Sequence, residues 1–322
     1  DTTVIPNRGA WLEFEQDASD VLWVHVDRTR KLTATVLLRA LGFGSDDALN
    51  MLFDNNPMIV STMEKDTAKS ESDGLIELYR RLRPGEIPTD DAVKQHLRNL
   101  FFDPRRYDLA RVGRYKFNKR LRLSSRIVGC TLADTVADEF GEVLAEKGAV
   151  VDKTLAVKMQ NAGVNEVYIV GEEGRKHKII ANNVVDFSSV EEFAGADHKK
   201  LGLLDTVYYP TIRFAREIYA MCAEKNAEDI AEELKDRINE VFYLEEKEIT
   251  DKSEEKPEDK KNEEKRREIR VKFVQAVKGL FDMLKAGNFE PDAEKRKLIR
   301  PVIDKLNHKH ITVDDIVAAV SL

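Results

Sequence analysis

Cysteine is nearly absent from this chain of 322 residues: only Cys130 and Cys222 occur. Their separation excludes a CxxC redox or zinc pair and a disulfide framework. Two reduced thiols in a cytoplasmic protein are the expectation. No apolar run approaches the ~20 residues that a membrane span needs, and no basic-then-apolar leader opens the chain. Histidine is sparse too, and of the six only His308 and His310 are close in sequence. Two histidines without a third ligand do not make a metal site; both are expected to be exposed polar residues ahead of a helix cap. The glycines form neither a GxxxxGK[ST] phosphate loop nor a GxGxxG turn, since Gly42-Phe-Gly44 lacks the third glycine and a preceding strand. HExxH and GxSxG are missing too. The acid pairs Asp46-Asp47, Asp90-Asp91 and Asp314-Asp315 fall at expected helix starts. The helix dipole favours negative charge there, so none is assigned as a general acid–base pair. No catalytic constellation emerges, and no cofactor site.

What is present is a foldable composition, with 42% hydrophobic and 34% charged residues. That length and balance suit two compact units or one elaborated one. The net charge of −7 does not announce a nucleic-acid binder, but charge is unevenly placed. Residues 105–126 hold nine Arg or Lys against Asp108, with Tyr107, Tyr115 and Phe117 interleaved. Such a stretch can meet an acidic ligand, nucleic acid above all. It can equally be a solvated basic face whose aromatics sit in the core. Residues 245–268 are the opposite case, with 19 charged residues of 24 and Pro257. They cannot bury enough apolar surface to fold alone, and a mobile loop or solvated helix end is expected at their centre.

Periodicity gives a coarse α+β reading of mixed short strands and helices. Residues 4–26 read as a hairpin around the turn chemistry of Asp17–Asp20. Helices are expected at 33–41, 46–53, 74–82 and 90–101, the last capped by Thr89. Residues 131–140 look helical. Short strands are expected at 142–150, 166–170 and 177–185, with helical spacing over 153–162. A long helix is expected over 211–240. Two more follow at 269–285 and 292–306, the latter interrupted by Pro301, and Thr312 caps a last one. The helices around the charged run are expected to pair as an inserted antiparallel hairpin. Four segments result: a core with the basic stretch (1–130), a small α+β portion (131–210), a helical insertion (211–307) and a return (308–322). Asp1 stands where Met would begin a gene product, and an apolar helical pattern has only begun near Leu322. An interior piece of a longer chain is the expectation.

Four runs carry a resemblance. They are Ile5-Pro-Asn-Arg-Gly-Ala-Trp-Leu-Glu-Phe14, Val26-Asp-Arg-Thr-Arg-Lys-Leu-Thr-Ala-Thr-Val-Leu-Leu-Arg-Ala-Leu41 and Glu77-Leu-Tyr-Arg-Arg-Leu-Arg-Pro-Gly-Glu-Ile-Pro-Thr89. The fourth is Phe101-Phe102 followed by Arg106-Tyr-Asp-Leu109 and Val112-Gly-Arg-Tyr-Lys-Phe-Asn118. In order and content they resemble the β subunit of bacterial RNA polymerase. The likeness continues less tightly through 132–210 and returns at His310-Ile-Thr-Val-Asp-Asp-Ile316, while 211–307 depart from the pattern.

The resemblance implies the β lobe, domain 2: a wall of the DNA channel that lines downstream duplex and touches the non-template strand. It implies no catalysis by this stretch alone and no cofactor in it, the Mg²⁺ of the parent enzyme being bound elsewhere. Other polymerase subunits and sigma factor are the implied protein partners, with no membrane, and the isolated piece is expected to be monomeric. Trp11 matches a tryptophan that stacks on a non-template base. Arg83 and Arg106 match arginines facing that strand. Arg28, Arg30 and Lys31 lie in a matching basic run, though Thr29 stands where relatives often carry arginine. The alternative is a scaffold role, with the helical insertion docking a regulator or a polymerase subunit.

Overall fold

The computed structural model describes residues 1–242, 257–287 and 290–322. Leu12-Glu-Phe14 and Val24-His-Val26 alternate buried and accessible positions, as strands with one covered face must. They belong to an antiparallel sheet of β1 (Thr2–Val4), β2 (Leu12–Gln16), β3 (Leu22–Val26) and β4 (Leu32–Thr33), in that order. Asp17 makes the β2–β3 turn, its Oδ1 accepting from the Ser19 and Val21 amides at 2.8 and 3.1 Å. The helices α1 (Ala34–Ala40) and α3 (Pro57–Met63) pack on this sheet, while α2 (Asp46–Phe53) packs on α3, α4 (Glu71–Leu82) on α1 and α5 (Asp90–Leu97) on α4. A π-helical turn, Arg98–Phe102, extends α5. Gly74 lets α1 and α4 cross closely: a Cβ there would stand 3.0 Å from the Ala40 amide nitrogen. Arg39, fully buried in α1, ties the layer together by donating to Asp66 at 3.1 Å, to the Gly44 carbonyl at 2.7 Å and to Asp46.

Two helices follow, α6 (Ala110–Leu121) and α7 (Leu123–Ile127), then a smaller α+β portion. It comprises β5 (Val136–Ala137), β6 (Val143–Ala145), α8 (Lys153–Asn161), β7 (Glu166–Val170) and β8 (Lys176–Ile180). Its core gathers Leu123, Ile127, Leu132, Val151, Met159 and Val167. Residues 131–140 are not helical. Their backbone groups serve neighbouring segments instead: the Leu132 amide donates to Ala149, that of Ala133 to Tyr168, and the Thr131 carbonyl accepts from Val170. The short helix α3 had no counterpart in the periodicity.

Residues Val184–His308 form a second unit with its own core, interposed in sequence between Asn183 and Lys309 of the first. It contains the hairpin β9 (Val184–Asp186) and β10 (Thr206–Tyr208), then α9 (Tyr209–Met221), α10 (Ala227–Glu233), α11 (Lys235–Phe242), α12 (Pro257–Ala286) and α13 (Ala293–Leu306). The expected helix over 211–240 is three helices. Asn226 starts the second by accepting from the Asp229 amide at 2.8 Å, a capping geometry that a continuous helix would not leave room for. The helix α12 packs on α9, α10 and α13. The expected mobile loop falls mostly on residues 243–256, outside the described residues, whereas 257–268 open α12. His308 is a further correction, since it is buried near Tyr208 and not exposed.

Pro301 lies inside a continuous α13 and does not interrupt it. Its ring faces solvent, so the helix loses one amide donor without losing packing. Pro301→Ala is expected to stabilise the second unit by about 1–3 kcal/mol, read as a higher urea midpoint. An unchanged or lower midpoint would show that the helix has already absorbed the missing bond. The chain returns to the first unit in α14 (Val313–Val320), where Thr312 and Asp315 make a reciprocal capping box.

Candidate nucleic-acid interface

The first unit links the loop of one outward aromatic side chain to segments that carry exposed cations. Trp11 immediately precedes β2, out of phase with buried Leu12 and Phe14, so its ring is turned outward and 43% exposed. Two backbone contacts fix its loop. The Trp11 carbonyl accepts from the Asp27 amide at 2.7 Å, and Arg8 and Asp108 exchange amide-to-carbonyl bonds of 3.1 and 2.8 Å. The first bond brings up the β3–β4 turn with Arg28, Arg30 and Lys31. The second brings up the 103–108 turn with Arg105 and Arg106.

The arginines differ in how far they are already committed. Arg28 and Arg30 are exposed and make no ion pair among the described residues. Lys31 is engaged, donating to Glu15 at 2.9 Å and lying 4.9 Å from the Trp23 ring centroid. Arg106 is 3.6 Å from Asp103, yet its side chain remains 64% exposed. Burial works to raise the Asp103 carboxyl, but the hydrogen bonds from Arg105 and the charges of Arg105 and Arg106 hold it below the usual carboxylate range. Arg83 ends α4, where it pairs with Glu86 at 3.2 Å. Glu86 also accepts from the Tyr79 hydroxyl at 2.6 Å, which fixes the loop that follows.

Electrostatics links Arg83 to Arg106. Burial, first, and then the charges of both arginines lower the proton affinity of His96, opposed in part by Glu86. Arg81 completes the connection by donating to the Lys31 carbonyl at 2.8 Å, which attaches α4 to the β3–β4 turn. Trp11, Arg28, Arg30, Arg83 and Arg106 thus stand on mutually bonded segments. Two residues of this surface escaped sequence reasoning. Arg8 is exposed, with no ion pair among the described residues, three positions from Trp11. Arg81 was overlooked because nothing in periodicity links α4 to residue 31.

The basic stretch 105–126 divides. Arg114 is buried against Asp315 at 2.9 Å, and Arg126 is half-buried, donating to the Ile180 and Ser321 carbonyls. Arg111, Lys116, Lys119 and Arg120 remain exposed. Of the aromatics, Tyr107 is buried, Phe117 half-buried and Tyr115 exposed. A groove of about 720 Å³ lies beside β1 and α6, lined in part by Val4, Leu109, Phe117, Lys116 and Arg120. None of the six candidate side chains lines it. Among the described residues, no three His, Cys, Asp or Glu side chains gather as metal ligands.

A family model described as RNA polymerase Rpb2, domain 2, matches residues 1–128. The DNA-directed RNA polymerase subunit beta of Alkaliphilus metalliredigens is 46% identical over 241 residues, 74% of this chain and 19% of that relative. Those of Alkaliphilus oremlandii and Clostridioides difficile are 44% and 45% identical over 240 and 242 residues, again 19% of each relative. The chain belongs to the RNA polymerase β-subunit family. It spans about a fifth of the length of the β subunits it matches. All six candidate residues, and Arg8 and Arg81 with them, fall inside the stretch that matches domain 2. The unit Val184–His308 falls outside it.

Proposed function

We propose that this stretch of a β subunit is a non-catalytic, DNA-contacting lobe that lines the downstream channel of the assembled polymerase and meets the non-template strand. Trp11 stacks on an unpaired base, while Arg8, Arg28, Arg30, Arg83 and Arg106 meet phosphates. The carrying observation is an outward tryptophan on segments bonded to those of five exposed arginines, of which Arg8, Arg28 and Arg30 carry no ion pair among the described residues. A π face accepts any base, and a guanidinium fork suits phosphate oxygens. Chemistry, with its Mg²⁺, belongs to other parts of the polymerase, and the remaining subunits and sigma factor are the protein partners. The deciding experiment is a photocrosslink from position 11 to DNA in reconstituted polymerase. Crosslinking to the non-template strand is expected; its absence while position 106 still crosslinks would remove Trp11 from the interface.

His96 offers a second measurement. Arg83 and Arg106 disfavour its protonated form, and a bound phosphate offsets their charge, so binding takes up a proton. Affinity for single-stranded DNA should therefore rise as pH falls through and below the ordinary histidine range, since burial and the two arginines hold His96 below it. The gain should be roughly two- to tenfold, as a charge contact of about 0.5–1.4 kcal/mol gives, and His96→Gln should flatten the profile. A slope that survives His96→Gln would assign the proton elsewhere.

A further inference from the structure

Trp11 is 43% exposed, so burial holds its ring only in part and its backbone must help set its direction. Gly9 has φ +130°, a conformation that side-chain-bearing residues rarely adopt. A Cβ there would also stand 2.5 Å from Cδ2 of Tyr107. The Tyr107 ring is completely buried, 6.3 Å from that of Phe101, and its hydroxyl has no hydrogen-bond partner among the described residues. Ring packing and not a polar contact therefore holds it. Its backbone is fixed as well: the Arg106 and Tyr107 amides both donate to the Asp103 carbonyl, at 3.0 and 2.9 Å. The antiparallel bridge Arg8↔Asp108 closes the arrangement. Beyond that bridge one strand runs on to Trp11 and the other back to Arg106.

We infer that Gly9 and Tyr107 are positioning residues: the bare Gly9 backbone seated on the Tyr107 ring sets the Trp11 indole in register with the Arg106 guanidinium. The inference rests on the reading of Trp11 as a base-stacking residue. A pre-set ring avoids the ordering cost that a mobile one would bear on binding. The Tyr107 hydroxyl contributes nothing to this, only the ring face does.

The test uses the whole 322-residue chain. It has two tryptophans, so Trp23→Phe leaves Trp11 as the sole indole. In that background Gly9→Ala and Tyr107→Leu should each lower the residual fluorescence anisotropy of Trp11. Each should also weaken binding of labelled oligothymidylate about fivefold or more, with cooperative melting retained. Tyr107→Phe, which keeps the ring, should preserve both properties. Added to Trp11→Ala, Gly9→Ala should weaken binding no further. The inference is overturned if folded Gly9→Ala keeps its anisotropy and affinity, or if its effect adds in full to that of Trp11→Ala. Should Gly9→Ala not fold, Tyr107→Leu against Tyr107→Phe decides by the same readouts. If Trp11→Ala itself leaves DNA affinity unchanged, the stacking reading fails, and the anisotropy alone decides positioning.

Discussion

Asp315→Ala is expected to destabilise the first unit by about 3–5 kcal/mol, the scale for stranding one partner of a buried ion pair. Both side chains are only 1% exposed. Arg114 Nη1 donates to both Asp315 oxygens at 3.1 and 2.9 Å, and Nη2 donates to the His310 carbonyl. Asn182 Nδ2 donates to Asp315 at 3.0 Å and to Asn118 at 3.0 Å, and the Thr312 amide donates to the other Asp315 oxygen at 3.0 Å. Removing the carboxylate takes an acceptor from a guanidinium, an amide and the Thr312 N–H in a buried site, and the His310 carbonyl and Asn118 Oδ1 that remain replace it only in part. Paired replacement should differ: Arg114→Met with Asp315→Leu removes both charges and should recover part of the loss. Urea unfolding of the three variants measures this. A loss below ~1 kcal/mol for Asp315→Ala would mean that the site admits water on mutation.

The same network shows what a sequence can and cannot disclose. Asp315 was legible as an N-terminal acid of α14, and the capping box bears that out. Its second role was invisible, because Arg114 is 201 residues away and composition does not say which of nine neighbouring cations is buried. Elements set by local chemistry were legible. Ser45 caps α2 and Asp54 closes it in the left-handed region, so its bounds, 46–53, agree with the periodicity. Strands β2 and β3 follow from alternation about the Asp17 turn. Elements set by distant partners were not legible. Residues 131–140 carry a helical pattern, but their amides and carbonyls find acceptors and donors on the 149 and 168–170 segments. For the interface, Trp11 and the arginines came through resemblance and not through periodicity. The convergence of Arg83 and Arg106 on His96 is a tertiary fact that neither could supply.

Trp11→Ala and Arg28→Ala with Arg30→Ala should weaken single-stranded DNA binding by two distinguishable routes. Loss of a stacking face is worth about 1–3 kcal/mol, roughly five- to 150-fold in affinity, and it should fall on every base type alike. Stacking displaces no counterions, so the salt dependence should keep its slope. Each phosphate contact on a single strand instead contributes about −0.7 to the slope of log affinity against log salt. Removing Arg28 and Arg30 should therefore flatten the slope by up to about 1.4 while leaving the quenching of Trp11 on saturation intact. Arg114 provides the contrast: it counts in the local charge excess, but its guanidinium is buried against Asp315 and releases no counterions to DNA. Titrations between about 50 and 200 mM salt separate these outcomes. If Trp11→Ala flattened the slope as the arginine pair does, its loop would be carrying phosphate contacts through Arg8, and stacking would not be its role.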